Sequence, residues 1–241
     1  RNLSDDRGIL TVAGPRARDV LAPLADISLA NSEFGWRQAR EMTVAGVPVI
    51  ALRLSFSGEL AWELHAPNDR LGILWDALWS AGQPYGITPF GSKPLDTMRR
   101  EKAYPGGHEL ANDASPVHTG QMRFVRLDKY FVGRDAVRRR FAAGETRILA
   151  CLDLGESDTD VLGGEAVFRN GARVGSVSSG GFGPATGKSL AFAFIEPDVA
   201  RPGTELKVMI LGEMRKATVL VKPVLDPGNL RLRDVVPVQK I

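Results

Sequence analysis

Trp62 and Glu63 are neighbours in the segment FSGELAWEL, residues 56–64, and together they could bind a flat ligand. A carboxylate accepts two parallel hydrogen bonds, and an aromatic ring packs against the face of a planar group. A heterocycle with adjacent ring N–H and amino donors, such as the aminopyrimidine end of a pterin, carries the matching donors. The same pair is also typical of a core aromatic residue beside a solvated acid, and the spacing alone leaves both interpretations open.

A second candidate is the stretch GGFGPATGKS, residues 180–189, which resembles a phosphate-binding loop. The motif needs a glycine six positions before its lysine, and Phe182 occupies that position. A phosphate loop also opens a helix, whereas the residues after Lys188 alternate as in a strand. A nucleotide site is therefore not predicted here, and a flavin or nicotinamide site would lie outside this chain.

The composition is that of an ordinary globular chain of 241 residues, with 44% hydrophobic residues, 24% charged residues and a net charge of +3. This charge does not indicate a nucleic-acid partner, and no apolar run approaches the ~20 residues that span a bilayer. The single cysteine, Cys151, excludes a disulfide within the chain, and the three histidines have no metal-binding spacing. We expect no metal, and small-molecule partners in a reducing compartment, the cytoplasm or, in a eukaryote, the mitochondrial matrix.

The elements that must position these residues are of both types up to about residue 145. Residues 49–56 alternate, with Ile50, Leu52, Leu54 and Phe56 on the apolar side, as in a half-buried strand. Further elements are expected as follows: strands at 9–13 and 122–127, a helix after Pro15, a helix capped by Asn68 or Asp69 that ends at Gly82, a helix after Pro94, and a helix over 133–141.

In the helix after Pro94, Leu95 and Met98 share one face, and the charged residues 99–102 are expected elsewhere. After residue 145 the pattern changes to short strands separated by Gly, Pro and Asn. The Asn170-Gly171 pair is the strongest hairpin signal in the chain. Six strands are predicted, at 147–154, 165–169, 173–179, 190–195, 205–211 and 216–222. Such strands indicate a small barrel or sandwich. We therefore expect two domains, 1–145 (α+β) and 146–241 (all-β).

Several segments, in the same order, resemble the aminomethyltransferase family, which includes the T-protein of the glycine cleavage system. They are FSGELAWEL at 56–64, PFG at 89–91 with LDTMRREK at 95–102, LDKYFVGRDA at 127–136, and DPGNLRLR at 226–233. The last segment is especially similar to the folate-binding halves of dimethylglycine and sarcosine dehydrogenases. The resemblance extends over nearly the whole chain.

The resemblance implies an α+β fold: a partial cloverleaf around a tetrahydrofolate pocket, with a ferredoxin-like part and a C-terminal β-barrel. It implies that Glu63 holds the pterin aminopyrimidine and that Trp62 and Phe56 wall the pocket. Arg99 and Tyr104 are further candidates for cofactor binding. Each could instead be structural, Arg99 in an ion pair and Tyr104 at a helix end.

Two departures from the family pattern affect these expectations. The family has a long segment before the position of Gly8, and that segment supplies the Asp that activates one-carbon transfer. This Asp has no counterpart in the sequence, so no catalytic residue is assigned. His118 stands where the family has an acid. A fragment, a split subunit and the ordered part of a longer protein all remain open as descriptions of the chain.

The function implied by the resemblance is a tetrahydrofolate-binding module for one-carbon transfer from a methylated amine of the dimethylglycine, sarcosine or glycine type. FAD would take part only if a separate flavin domain or chain exists. Two alternatives stay open. One is a non-catalytic folate-binding or scaffold subunit that another chain, such as an N-terminal half, completes. The other is a folate-dependent demethylase of an S-, O- or N-methyl donor.

Overall fold

The structure, a computed structural model, describes residues 2–111, 113–155 and 158–234. Contacts divide the chain into two compact units. The first unit contains the residues up to Leu95 together with the segment that starts at Asp226, and the second unit is Asp96–Leu225. No helix in the described ranges is long and apolar enough to cross a membrane.

The first unit is built on a four-stranded antiparallel sheet with two helices packed on one face. The strand order is β1-β4-β3-β2. A short C-terminal helix, α5, completes the unit. The elements are β1 (Arg7–Ala13), α1 (Ala17–Leu21), β2 (Ala39–Val44), β3 (Val47–Leu52), β4 (Ala61–Pro67), α2 (Leu71–Gly82) and α5 (Leu230–Arg233).

The strand expected at 9–13 and the helix that ends at Gly82 are confirmed. The expected caps of that helix are wrong, because Asn68–Arg70 form a 3-10 turn ahead of α2 and no side chain caps the helix. The strand predicted over 49–56 ends at Leu52. Residues 53–60, called the link below, then lead into β4.

The packed face of the sheet is not the one that carries the larger apolar side chains of β3. Val49 and Ala51 are buried in the core, whereas Ile50 and Leu52 lie on the other face and are only partly buried. A period of two identifies two faces but does not identify the covered one when both are apolar. Here α1 and α2 cover the Val49 side, since Val20, Leu21, Leu74 and Leu78 belong to the same core.

The second unit contains a closed antiparallel barrel in the order β10-β5-β8-β7-β6-β9. Its six strands correspond one to one with the predicted strands, so the C-terminal β-barrel is confirmed. They are β5 (Ile148–Asp153), β6 (Ala166–Arg169), β7 (Ala172–Gly183), β8 (Lys188–Ile195), β9 (Glu205–Ile210) and β10 (Glu213–Val219). The helix expected over 133–141 is α4 (Arg134–Ala143). The strand expected at 122–127 is wrong, because Met122–Phe124 form a 3-10 turn.

Two turns of the barrel follow from sequence chemistry. Asn170 and Gly171 have positive φ angles of 51° and 84° and join β6 to β7, as a two-residue hairpin turn requires. The stretch that resembles a phosphate loop ends β7 and begins β8, with Gly183 paired to Lys188. It is a turn between barrel strands, so the interpretation as a phosphate loop is excluded.

Helix α3 (Ser92–Glu101) contains the boundary between the two units. The sequence pattern does not predict burial of its charged residues, yet Arg99, Arg100, Glu101 and Lys102 are all buried. Buried charges are tolerated where they are paired and hydrogen-bonded. Within the second unit Arg99 has such partners, described below.

Glycines allow two of these charged side chains to pack directly on the backbone. A Cβ atom at Gly106 would lie 2.7 Å from Arg99 Cζ. A Cβ atom at Gly183 would lie 2.7 Å from Glu101 Cγ. Both distances are shorter than real Cβ contacts, so each charged group occupies space that any other residue type would fill.

Candidate ligand-binding site

A cavity of about 490 Å³ lies in the first unit. This volume falls within the range of small-molecule sites. The lining combines strand β1, the link, strand β4, helix α2 and the loop that leads into α3. The lining residues are 9–13, Leu54, Phe56, Ser57, Ala61, Glu63, Trp75, Leu78, Trp79, 87–92 and Leu95.

Glu63 is the only residue with an ionisable side chain among the described residues that line the cavity. It lies on β4, paired with Thr11 of β1 and Leu52 of β3. Its side chain is 32% exposed, and its Oε2 lies 3.5 Å from His65 Nε2. The arrangement therefore presents one carboxylate to a mostly apolar space, where it could accept hydrogen bonds from a ligand.

Trp62 lies on the opposite face of β4 from Glu63. The indole is 0% exposed and packs edge-on to Phe34 at 6.4 Å between ring centroids. The guanidinium groups of Arg18 and Arg53 lie 5.5 and 5.4 Å from the Trp62 ring. The expectation that Trp62 walls the pocket beside Glu63 therefore does not match its position, because successive side chains of a strand point to opposite faces.

Phe56 lines the cavity from the link, and its side chain is 41% exposed. Short-range hydrogen bonds shape the link around it. Gly58 N–H donates to Ser55 Oγ at 3.0 Å, and the hydroxyls of Ser55 and Ser57 are 3.2 Å apart. Gly58 has a φ of +85°, a conformation that favours glycine. The structure thus brings Phe56 and Glu63 to the same cavity.

Trp75 and Trp79 form an aromatic wall that the sequence interpretation missed. Their rings are stacked, with centroids 5.9 Å apart and planes 8° apart, and both line the cavity. The helical spacing of Leu74, Trp75 and Leu78 favours a packed position for all three side chains, yet Trp75 is 46% exposed. The available signal was the spacing of four residues, which puts two tryptophans side by side along the edge of the apolar face.

Arg99 belongs to the second unit, where it is enclosed by partners. It donates to Glu109 Oε2 at 2.9 Å, to the carbonyl oxygen of Tyr104 at 3.0 Å and to Ser179 Oγ at 3.2 Å, and it pairs with Asp96. The Tyr104 N–H donates to the Arg99 carbonyl oxygen at 2.8 Å and closes the end of α3. These contacts support the structural alternative for both residues, and their role in cofactor binding stays a prediction.

His118 is also held by structural contacts in the second unit. Its Nε2 lies 2.6 Å from Glu145 Oε2, and its Nδ1 accepts the Ser115 N–H at 2.9 Å. Burial lowers the pKa of His118, although the charge of Glu145 acts to raise it. No group of three or more His, Cys, Asp or Glu residues in the described ranges could hold a metal ion.

Cys151 has the character of a packed thiol and not of a nucleophile. Burial raises the pKa of its thiol to about 12, so the reactive thiolate form is disfavoured.

Models of two family domains match the chain: the GCVT N-terminal domain over residues 1–129 and the glycine cleavage T-protein C-terminal barrel domain over residues 147–226. The chain therefore belongs to the glycine cleavage T-protein family of aminomethyltransferase-like proteins, and the resemblance read from its motifs is confirmed. The expected domain boundary at 145–146 falls between the two matched ranges and stays a prediction.

Two curated relatives illustrate the similarity. The mitochondrial dimethylglycine dehydrogenase of Homo sapiens is 36% identical over 238 residues, which cover 97% of this chain and 28% of that protein. The aminomethyltransferase of Symbiobacterium thermophilum is 33% identical over 224 residues, which cover 91% of this chain and 60% of that protein. The chain thus spans less than two thirds of the length of either relative.

A solved structure shares the fold. The crystal structure of glycine cleavage system aminomethyltransferase T from Bartonella henselae superposes with a TM-score of 0.80 at 24% identity. The match covers 92% of this chain and 60% of that one. The expected α+β class is confirmed by this match together with the barrel.

Proposed function

We propose that the cavity beside Glu63 binds the pterin end of a reduced folate. The chain would then be the tetrahydrofolate-binding module of a protein that transfers a one-carbon unit from a methylated amine to folate. The observation that carries the proposal is the single carboxylate of Glu63 in an otherwise uncharged, mostly apolar cavity, in a chain of the T-protein family.

The residues present fit this ligand. The aminopyrimidine of a pterin offers a ring N–H and an amino group side by side, and the two oxygens of Glu63 can accept both. Hydrogen bonds to an ionised carboxylate are stronger than those between two neutral groups. Phe56 and Trp75, both partly exposed in the cavity lining, supply flat apolar surface for the faces of the ring.

The bound folate would supply the nitrogen atoms that take up the one-carbon unit. This chain would supply position: Glu63 fixes the orientation of the pterin, and the apolar lining keeps water from the ring. A correctly positioned acceptor gains much of its reactivity from orientation alone. No residue of this chain is assigned to proton transfer or to FAD, which a separate flavin domain or chain would hold.

The names of the relatives suggest the donor. Dimethylglycine is the substrate named for the human relative, and an amine of the dimethylglycine, sarcosine or glycine type is the proposed donor here. No observation favours the scaffold subunit or the demethylase over this proposal. The cytoplasm, or the mitochondrial matrix in a eukaryote, stays the predicted compartment.

Calorimetric titration with 5-formyltetrahydrofolate, a stable reduced folate, tests the proposal. Glu63→Gln keeps the size of the side chain and removes its charge, so we expect affinity to fall by roughly 10- to 100-fold, the size of lost hydrogen bonds to a charged group. Glu41→Gln is the matched control, because Glu41 is an exposed acid on β2 that does not line the cavity. Equal affinity in the wild type and Glu63→Gln, or no binding by the folded wild-type chain, would contradict the proposal.

A further inference from the structure

The C-terminal motif of the sequence forms a compact segment bound to the first unit. Residues 226–234, called the strap below, contain the single turn of α5. The Asp226 carboxylate accepts the Leu230 N–H at 2.8 Å and the Arg231 N–H at 3.1 Å. Leu232 is buried. The strap is therefore a folded part of the unit, with an apolar anchor and an internal cap.

The end of the strap supplies acceptors to polar side chains of the unit. Asn31 Nδ2 donates to the carbonyl oxygens of Arg233 and Asp234 at 3.2 and 3.3 Å. Arg53 Nη2 donates to the Arg233 carbonyl oxygen at 3.3 Å, and Arg18 forms an ion pair with the Asp234 carboxylate.

These acceptors meet a local excess of positive charge. The guanidinium groups of Arg18 and Arg53 both lie against the Trp62 ring. Burial, followed by the charge of Arg18, lowers the pKa of Arg53 to about 10. Two neighbouring cations of this kind are stable only with hydrogen-bond acceptors or anions beside them. The Asp234 carboxylate pairs with Arg18, and the Arg233 carbonyl oxygen accepts from Arg53. The strap is thus held by the same residues that surround Trp62, next to Glu63 on β4.

A second contact connects the strap to the link. Arg231 Nη1 donates to Glu59 Oε1 at 2.8 Å. The Glu59 side chain is only 15% exposed, which restricts its movement. Glu59 follows Phe56 and Ser57, which line the cavity, and the hydroxyl hydrogen bonds of the link reach only two or three residues along the chain. Arg231 therefore connects the link to a segment about 170 residues away in sequence.

We propose that the strap positions the link, and that Arg231, through its ion pair with Glu59, is a positioning residue for the ligand cavity. The proposal rests on the proposed function, since it assigns to the strap a role in folate binding. A partly exposed ion pair contributes little to the free energy of unfolding. The ion pair instead restricts the positions of Phe56 and Ser57, and these positions affect the affinity for the ligand.

Charge reversal and charge exchange test the proposal in the full chain with 5-formyltetrahydrofolate. We expect Arg231→Glu and Glu59→Arg each to weaken binding roughly ten-fold, and the double variant to recover most of the loss, as contacting residues do in a double-mutant cycle. Arg201→Glu is the control for net charge, because Arg201 is an exposed residue of the second unit. The melting temperatures of the wild type and the variants should agree within a few degrees. Arg231→Met, which removes the charge without repulsion, replaces Arg231→Glu if that variant does not fold.

The outcomes separate this proposal from the one on which it rests. If Glu63→Gln loses affinity while Arg231→Glu keeps it, the strap has no positioning role and the folate site stands. If Glu63→Gln binds as tightly as the wild type, the folate site itself is wrong. Failure of the exchanged pair to recover affinity would show that the ion pair does not carry the effect, and would overturn the role of Arg231. Faster amide exchange of Gly58 and Glu59 in Arg231→Glu would support the proposal independently.

Discussion

Trp62 and Glu63 are adjacent on β4, yet the indole of Trp62 lies in the core and the carboxylate of Glu63 lies at the cavity. Both side chains belong to the segment FSGELAWEL at 56–64, and their tasks are separate. Trp62 contributes to the stability of the sheet, and Glu63 is available to a ligand. This separation makes the two contributions measurable one at a time.

Trp62→Leu and Phe56→Leu should have opposite profiles. Loss of the buried indole should lower the free energy of unfolding by about 3 kcal/mol or more, because the large cavity left behind is only partly refilled. Phe56→Leu removes a partly exposed ring and should change stability by less than about 1 kcal/mol while weakening folate binding several-fold. Urea unfolding and calorimetric titration measure the two effects. Stability loss in Phe56→Leu with unchanged affinity would contradict the assignment of Phe56 to the site.

Trp75 and Trp79 should report ligand binding through their fluorescence. We expect reduced folate to quench the emission of the wild-type chain and Trp75→Leu to lose much of that change. Affinity should also fall, by up to about ten-fold, the scale of one aromatic contact. Trp36→Leu is the matched control, because Trp36 does not line the cavity and instead packs against Arg37 and Arg233. A quench that survives in Trp75→Leu but disappears in Trp36→Leu would place the ligand elsewhere.

Glu109 should make the second unit sensitive to acid. Burial acts to raise the pKa of Glu109, but hydrogen bonds from Ser179, the Gly106 N–H and Ser178, with the charge of Arg99, hold it below its ordinary value. A carboxyl whose pKa is lower in the folded state than in the unfolded state stabilises the fold above the unfolded value, about 4.3. That contribution is lost as the pH falls through the folded value. We therefore expect the free energy of unfolding to decline from about pH 5 downward.

Glu109→Gln should remove part of that decline and destabilise the protein at pH 7 by about 3 kcal/mol, because Arg99 stays buried with one anionic partner fewer. Asp128→Asn is the control, since Asp128 pairs with Arg126 at the exposed surface. Unfolding by urea between pH 3 and 7 provides the comparison. An acid-dependent decline that is the same in the wild type and Glu109→Gln would exclude Glu109 as its source.

The barrel was the most predictable part of the molecule. Its strands are short and separated by Gly, Pro and Asn, and the positive φ angles at Asn170 and Gly171 are those that a two-residue hairpin turn requires. These are short-range signals, which the sequence contains in full. The same holds for α2, whose end at Gly82 matches its periodicity.

The orientation of the sheet in the first unit was not predictable in this way. Residues 49–52 of β3 are apolar on both faces, and only the packing of α1 and α2 determines which face is covered. The exposure of Trp75 was unpredictable for the same reason, because the packing of α2 on the sheet determines which of its apolar side chains are covered. The Trp62–Glu63 pair therefore identified the correct strand, while its geometry at the cavity depended on tertiary structure.

The burial of charged residues in α3 was also not predictable from the sequence. Arg99 is polar by type, so periodicity places it at the surface. Its partners Glu109 and Ser179 lie 10 and 80 residues further along the chain, and they are recognisable only once the fold brings them together.

Gly106 and Gly183 lie directly against the buried charged side chains of Arg99 and Glu101. Each occupies a position where a methyl group would meet a charged side chain at 2.7 Å. In a saturation library of this protein, alanine should therefore be depleted at both positions relative to Gly107, where a Cβ atom would meet nothing within 4 Å. At these two sites the conventional expectation that a glycine accepts alanine, the smallest possible change, would therefore fail.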